Sequence, residues 1–192
     1  MKTTRLEAFS DGVIAIIITI MVLELKVPHT VGFQALVEMW PVFFCYALSF
    51  VTVAVYWVNH HHLLHLLRRV DPAVMWSNMN FLFWLSLLPF ATAYLGENHA
   101  VPFAVALYGV VTTLCGIAYY FLRHAVACQD RHDARRWALH QHMVRKNRLA
   151  TVIHLSAVPL AYFSTKLALV VFMVPAAMYF VPDRKVEELM EE

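Results

Sequence analysis

The chain has 192 residues, 60% of them apolar, with a mean hydropathy of +0.59 and a formal net charge of +2. This composition excludes an ordinary soluble domain. The apolar residues form uninterrupted runs without the period-two alternation of an outer-membrane β-barrel. The sequence therefore predicts an all-α membrane protein.

The apolar runs predict six membrane-spanning helices in one domain that covers residues 1–192. A span needs about 20 apolar residues, and roughly 17 to 25 are tolerated. The last run, from 149 to 181, is too long for one helix and is divided at 164–166 by a serine, a threonine and a lysine. The expected spans lie near 8–25, 38–59, 76–95, 101–122, 149–163 and 165–181, and the cytoplasmic loop 123–148 is expected to continue its flanking helices.

Basic residues indicate the orientation of these spans. With six spans, the opposite side of the membrane keeps only Lys26 and Lys166 of the 15 basic residues. Cytoplasmic segments are enriched in lysine and arginine, so both termini are predicted to be cytoplasmic. Basic segments beside a membrane ordinarily meet lipid headgroups, and no nucleic-acid partner is inferred. The thirteen residues on the basic side are Lys2, Arg5, Arg68, Arg69, Arg123, Arg131, Arg135, Arg136, Arg145, Lys146, Arg148, Arg184 and Lys185.

A polar signature opens the first span. Arg5 is followed by Phe9-Ser10-Asp11-Gly12, which leads directly into a long apolar run. An ionisable group within an apolar helix is costly unless partners satisfy it, and Asp11 is therefore a candidate functional residue. Arg5 and Asp11 are six residues apart and do not form an i,i+4 pair, so their partners are expected on other helices.

These residues resemble the signature of the transmembrane protein 175 family, whose animal members are endosomal and lysosomal potassium channels and whose bacterial members are short six-span chains. The resemblance covers roughly the first half of the chain at the level of motifs. The matching motifs are Arg5-x-x-x-Phe9-Ser10-Asp11-Gly12, Trp57-x-x-His60-His61, Asn78-x-x-Phe81, Leu88-Pro89-Phe90-x-Thr92 and Gly96-Glu97.

The resemblance implies a potassium-permeable cation channel and no catalytic activity. A single-repeat chain of this family would form a homotetramer in the bacterial inner membrane, with the first span lining a central pore. The family's constriction is built from apolar side chains, and this sequence has no TVGYG-like segment that would form a carbonyl filter. The partners implied are the lipid bilayer and permeant monovalent cations such as K⁺, with no cofactor and no bound metal.

Three residues of the first span match the family's pore-lining positions. Ile16, Thr19 and Leu23 fall within an arc of roughly 60° on a helix. Periodicity alone leaves lipid-facing or packing positions open for them, and the resemblance favours the pore. It implies an apolar ring at Ile16, a hydroxyl ring at Thr19 and an outer apolar ring at Leu23, with Glu24 near the extracellular mouth to concentrate cations.

The signature itself is expected to anchor this helix rather than to bind the ion. His60 and Asn78 are the candidate partners for Arg5 and Asp11 in a structural or gating network. In this interpretation Ser10 and Asn78 supply neutral hydrogen bonds, while Phe9 and Trp57 supply packing. The alternative places Arg5 at the lipid headgroups and Asp11 in a water-filled vestibule.

Two other classes of function remain open from the residues. The histidines at 60, 61, 62 and 65, with His140 and His142, resemble the histidine boxes of membrane di-iron enzymes. Such enzymes need several HxxxH or HxxHH boxes to hold two irons, and this chain offers one dense cluster and one pair. A proton-coupled transporter would use Asp11 and His60 as a relay, although transporters ordinarily place such groups near the membrane midplane between repeats.

Overall fold

The structure is a computed structural model that describes residues 2–29 and 31–180. Within these residues it contains eight α-helices and no strand, so the all-α class is confirmed. The helices are α1 (Thr3–Leu23), α2 (Phe33–Glu38), α3 (Trp40–His65), α4 (Pro72–Leu85), α5 (Leu88–Glu97), α6 (Pro102–Ala127), α7 (Ala134–Phe163) and α8 (Thr165–Phe180).

Four segments of the described chain are long and apolar enough to cross a membrane. They are α1, α3, the α4–α5 pair from Pro72 to Glu97, and α6 with the 3₁₀ turn Cys128–Asp130 that follows it. The predicted fifth span is the C-terminal half of α7, and the predicted sixth is α8, whose apolar stretch Thr165–Tyr179 is shorter than a typical span. Arg184 and Lys185, which contribute to the predicted orientation, lie outside the described residues.

The third predicted span is two helices rather than one. α4 ends at Leu85 and α5 begins at Leu88, with Pro89 in the first turn of α5. Proline has no N–H to give to the preceding turn and its ring clashes with a helical carbonyl, so it breaks a helix but is tolerated near a helix start. Pro159 and Pro175 instead lie inside α7 and α8, which continue through them.

The segment 123–148 is largely helical, as expected. α6 extends to Ala127 and α7 starts at Ala134, fifteen residues before the predicted fifth span. Only the short 3₁₀ turn and the three residues after it connect the two helices. The side chain of Asp133 accepts a hydrogen bond from the backbone N–H of Arg136 at 3.1 Å and so caps the start of α7.

α6 and α7 form the most closely packed pair of helices. Gly116 lies against Thr151 and Gly109 against Val158, which makes the two helices antiparallel. A Cβ atom on Gly116 would lie 2.4 Å from Thr151 Oγ1, well inside contact distance. Small residues let helix backbones approach closely in membranes, where packing replaces the hydrophobic effect as the driving force.

A buried carboxylate joins the ends of α3, α6 and α7. Asp130, 1% exposed, accepts from Arg68 Nε at 2.6 Å, Arg136 Nη1 at 3.1 Å and His140 Nε2 at 2.9 Å. Burial lowers the pKa of His140, although its hydrogen bond to Asp130 acts in the opposite direction. Because the carboxylate oxygen can only accept, His140 Nε2–H is the donor of this hydrogen bond.

Candidate pore helix and its anchoring network

α1 has one buried face and one exposed face. Its buried residues recur at helical spacing, so they form a stripe against the rest of the bundle. The remaining positions face away from the other helices that the structure describes or lie at the margins of that stripe. The buried residues of α1 are Leu6, Ser10, Ile14, Ile17 and Met21.

The three candidate pore residues share the exposed face. Ile16 is 58% exposed and Leu23 is 78% exposed, whereas Ile14 is 1% exposed. With 100° of rotation per residue, the Ile16, Thr19 and Leu23 face lies about 150° round the helix from the buried stripe. Thr19 Oγ1 donates to the carbonyl of Ile16 at 2.9 Å, which satisfies its proton and leaves its oxygen lone pairs on the exposed face.

Glu24 follows directly after α1 and is also exposed. Two residues further on, Lys26 forms an ion pair with Glu97 at the end of α5, and the hydrogen bond to this carboxylate raises the pKa of Lys26. This pair holds the C-terminal end of α1 beside α5. Glu24 therefore retains an exposed charge next to the exposed face of the helix.

The first half of α1 is held by a chain of buried hydrogen bonds. Ser10 Oγ donates to the carbonyl of Leu6 at 2.8 Å and accepts from Asn78 Nδ2 at 2.9 Å. Asn78 Oδ1 lies 2.7 Å from His60 Nε2, and the His60 ring stacks on Phe81 with centroids 5.7 Å apart. All three polar side chains are fully buried, so the chain links α1, α4 and α3 where water is excluded.

Asp11 has a different partner from the two expected. Trp57 Nε1 donates to Asp11 Oδ1 at 2.9 Å, so the tryptophan contributes a hydrogen bond as well as packing. His60 and Asn78 bond to each other and to Ser10 instead. The predicted set thus divides into a buried chain through Ser10 and a half-exposed pair through Asp11, because adjacent positions on a helix point 100° apart.

Arg5 and Phe9 lie outside both groups. Both are exposed, and they line an open groove with Met75, Trp76 and Met79 of α4. Among residues 2–29 and 31–180, the guanidinium group of Arg5 has no hydrogen bond or ion pair. His60 and Asn78, the candidate partners of Arg5, bond to each other and to Ser10, and the position of Arg5 agrees with the alternative that places it at the lipid headgroups.

One acidic residue of α1 was missed at the sequence level. Glu7 Oε1 lies 3.2 Å from His61 Nδ1 and 3.9 Å from His65 Nε2. Glu7 lies four residues before Asp11 on α1, and its partner His61 lies four residues after Trp57 on the antiparallel α3. The Glu7–His61 and Asp11–Trp57 contacts therefore lie along one seam between the two helices. The i,i+4 spacing on both helices was the signal that could have identified it.

Comparison with known proteins identifies the family of this chain. Residues 5–89 match the family model described as the endosomal/lysosomal potassium channel TMEM175. A potassium channel of Chryseobacterium sp. (strain P1-3) is 37% identical over the whole length of both chains. A potassium channel of Chamaesiphon minutus is 35% identical over 93% of both chains.

A solved structure gives the same result in three dimensions. The crystal structure of a lysosomal potassium-selective channel TMEM175 homologue from Chamaesiphon minutus superposes with a TM-score of 0.81 at 33% sequence identity. The match covers 92% of this chain and 95% of that one. The alternatives of a membrane metalloenzyme and a proton-coupled transporter receive no support from these relatives. The chain belongs to the TMEM175 family of ion channels.

Proposed function

We propose that this protein is a potassium-permeable cation channel whose pore is lined by α1 from four copies of the chain. One observation carries the proposal. The three residues that match the family's pore positions, Ile16, Thr19 and Leu23, lie on the face of α1 that the chain's own core leaves exposed. A single helix cannot enclose an ion path, so this face needs further copies around it.

The chemistry of this face suits a pore gated by apolar side chains. Residues 3–23 are helical, so the backbone carbonyls before the last turn are engaged in the helix and cannot replace an ion's hydration shell. A ring of Ile16 side chains would form a constriction that closes by steric contact or by dewetting. Thr19 would offer hydroxyl oxygens to a partly dehydrated cation, and Glu24 would raise the cation concentration at the mouth.

The outer surface beside α1 supports assembly with further copies. An open, mainly apolar groove of about 470 Å³ lies between α1 and the α4–α5 break. Its walls include Ile16, Ile20, Pro89 and Phe90. Side chains of a neighbouring copy would fill this groove and bring the exposed faces of α1 together around a common axis. The homotetramer agrees with a single repeat of six spans, with residues 149–163 of α7 and α8 as the last two.

The distribution of charge supports an orientation in the bacterial inner membrane with the basic end in the cytoplasm. The start of α1, the end of α3 and the turn between α6 and α7 lie at one end of the bundle, where Arg68 and Arg136 meet Asp130. The Lys26–Glu97 pair marks the opposite end. In this orientation Glu24 faces the extracellular side.

Recording from purified protein in planar bilayers tests the channel. Stepwise unitary K⁺ currents are expected, and saturable flux without unitary steps would contradict a channel. Ile16→Ala should raise the unitary conductance or reduce ion selectivity, because it widens the narrowest ring. Val22→Ala is the matched control, since Val22 is an exposed aliphatic residue on another face of α1. Equal conductance and equal ion selectivity of wild type and Ile16→Ala would remove Ile16 from the pore.

Mass measurement of the solubilised complex tests the assembly separately. Native mass spectrometry in detergent should give four chains of 22.1 kDa. A monomer or dimer that still carries unitary currents would contradict the four-fold pore while leaving ion conduction intact.

A further inference from the structure

Three side chains meet where the start of α1 packs against the end of α3. One ligand atom from each of Glu7, His61 and His65 lies within 4.8 Å of the other two. It is the one group of this kind among residues 2–29 and 31–180. The side chains are partly exposed, so an ion can reach them from the aqueous phase. None of the three belongs to the candidate pore or to the Ser10–Asn78–His60 chain.

The distances fit a small tetrahedral metal ion. His61 Nε2 and His65 Nε2 are 3.0 Å apart, and Glu7 Oε1 is 3.9 Å from His65 Nε2. Ligands about 2.0–2.1 Å from a tetrahedral zinc ion lie roughly 3.3 Å from one another. The His61 ring contacts Glu7 through Nδ1 and His65 through Nε2, so a movement of this ring or of the carboxylate would bring one ligand atom from each side chain around a common ion. Two histidines at i,i+4 on one helix face are a recurrent metal-binding arrangement.

The ligand chemistry selects the class of ion. Two imidazoles and one carboxylate suit zinc and its first-row neighbours, whereas Mg²⁺ and Ca²⁺ prefer oxygen ligands alone. Three protein ligands leave a fourth coordination position for water.

We propose that Glu7, His61 and His65 bind a divalent transition-metal ion, with zinc the best fit, and that the ion fastens the start of α1 to the end of α3. The carboxylate comes from α1 and both imidazoles come from α3, so no ligand set is complete on one helix. The site lies one helical turn from the Asp11–Trp57 hydrogen bond, on the same seam. Bound metal thus holds in place the helix that carries Ile16, Thr19 and Leu23, whether or not that helix lines a pore.

Metal binding to the purified full-length protein tests the site. After removal of metal with a chelator, isothermal titration with ZnCl₂ should show one zinc ion per chain, and MgCl₂ should give no comparable signal. Glu7→Gln, His61→Ala and His65→Ala should each weaken zinc binding by about tenfold or more, because each removes one ligand. His62→Ala is the matched control, since it removes an adjacent histidine of α3 outside the triad.

Three results would overturn the site: no zinc binding to the wild type, wild-type affinity in all three ligand variants, or an equal loss in His62→Ala. Hydrogen exchange measures the fastening in the wild type itself and so does not depend on the folding of a variant. Zinc should slow amide exchange in residues 3–11 and leave α6 and α7 unchanged. Equal exchange in this segment with and without zinc would show that bound metal does not hold α1.

Discussion

α1 and the α6–α7 pair differ in how deeply they are buried and in the contacts that hold them. Five of the 21 residues of α1 are buried, whereas 16 of the 26 residues of α6 are. α1 is held by polar contacts in two places, through Ser10 and Asp11 in its first half and through the Lys26–Glu97 pair just beyond its C-terminal end. α6 and α7 instead touch along their length through glycines.

The α6–α7 pair therefore acts as a scaffold within each chain, whereas α1 depends on assembly with other copies. The close contacts at Gly109 and Gly116 couple α6 to α7, since close-packed interiors transmit strain rather than absorb it. The apolar outer face of α1 gains its partners only when copies associate. Mutations in the two regions are therefore expected to change different observables, stability in the first and assembly or conduction in the second.

The largest effect is expected from Asp130→Ala in the scaffold. It removes a buried carboxylate and leaves the charges of Arg68 and Arg136 without their shared partner. The substitution removes three hydrogen bonds to a charged acceptor and leaves the buried His140 Nε2–H without its partner, at a total cost of about 3–5 kcal/mol. Thermal or denaturant unfolding in detergent measures the loss. Glu38→Ala, at an exposed acid of α2, is the control and should leave the midpoint unchanged; equal midpoints for both variants would remove Asp130 from the scaffold.

Gly116→Leu is expected to have the next largest effect. Its side chain would displace Thr151, whose hydroxyl donates to the carbonyl of Asn147 at 2.9 Å. Overpacking of this kind costs about 1–3 kcal/mol. Gly12→Ala in α1 is the matched substitution, because nothing lies within 4 Å of the added Cβ atom. It should be neutral or stabilise the helix by up to about 1 kcal/mol. A loss of stability in Gly12→Ala as large as in Gly116→Leu would show that α1 and α6 do not differ in packing.

Asp11→Ala should loosen α1 and leave the scaffold intact. The variant loses the hydrogen bond from Trp57, which is worth about 1 kcal/mol. Amide exchange should rise in the first half of α1 and stay unchanged in α6 and α7. Tetramer formation or gating should suffer more than ion selectivity. Trp57→Phe removes the donor from the other side, and the double variant should be no worse than either single one if the two residues act as a pair.

The smallest effect is expected where α4 starts, at Asp71. The backbone N–H of Val74 donates to Asp71 Oδ1 at 2.9 Å and lowers the pKa of that carboxyl group. A lowered folded-state pKa means that this stabilisation is present above the ordinary value of about 3.9 and is lost as the pH falls through the folded-state pKa. Asp71→Ala should cost about 1 kcal/mol at neutral pH. The difference from wild type should shrink toward pH of about 2, and a difference that did not change with pH would contradict the charged cap.

Local signals in the sequence were enough for the all-α class and for the position of α1. Hydropathy is a property of contiguous residues, and the Arg5–Gly12 signature lies within two helical turns. The break at Pro89 could be anticipated as a kink for the same reason. The helical continuation of α7 into residues 134–148 was also expected, whereas its exact start, after the capping side chain of Asp133, was not predicted.

The partners of polar side chains depended on helix rotation and were harder to predict. His60 and Asn78 bond to each other, and rotation about α1 gives them Ser10 rather than Asp11 as the partner on that helix. Trp57 was predicted to be a packing residue. Its hydrogen bond to Asp11 depends on the register of α1 against α3, which the sequence does not show. Asp130 had no sequence signal, since its three partners come from positions 68, 136 and 140.

The length of α7 has a practical consequence. Thirty helical residues extend about 45 Å, against a hydrocarbon core about 30 Å thick, so the first turns of α7 stand clear of the lipid. The buried Asp130 contacts fix this projection to the rest of the chain, and its tip carries the exposed Arg131 and His132. A small binding domain inserted at this tip would move with the bundle as one body. Such a rigid marker would let electron microscopy orient particles of a protein whose chain is only 22.1 kDa.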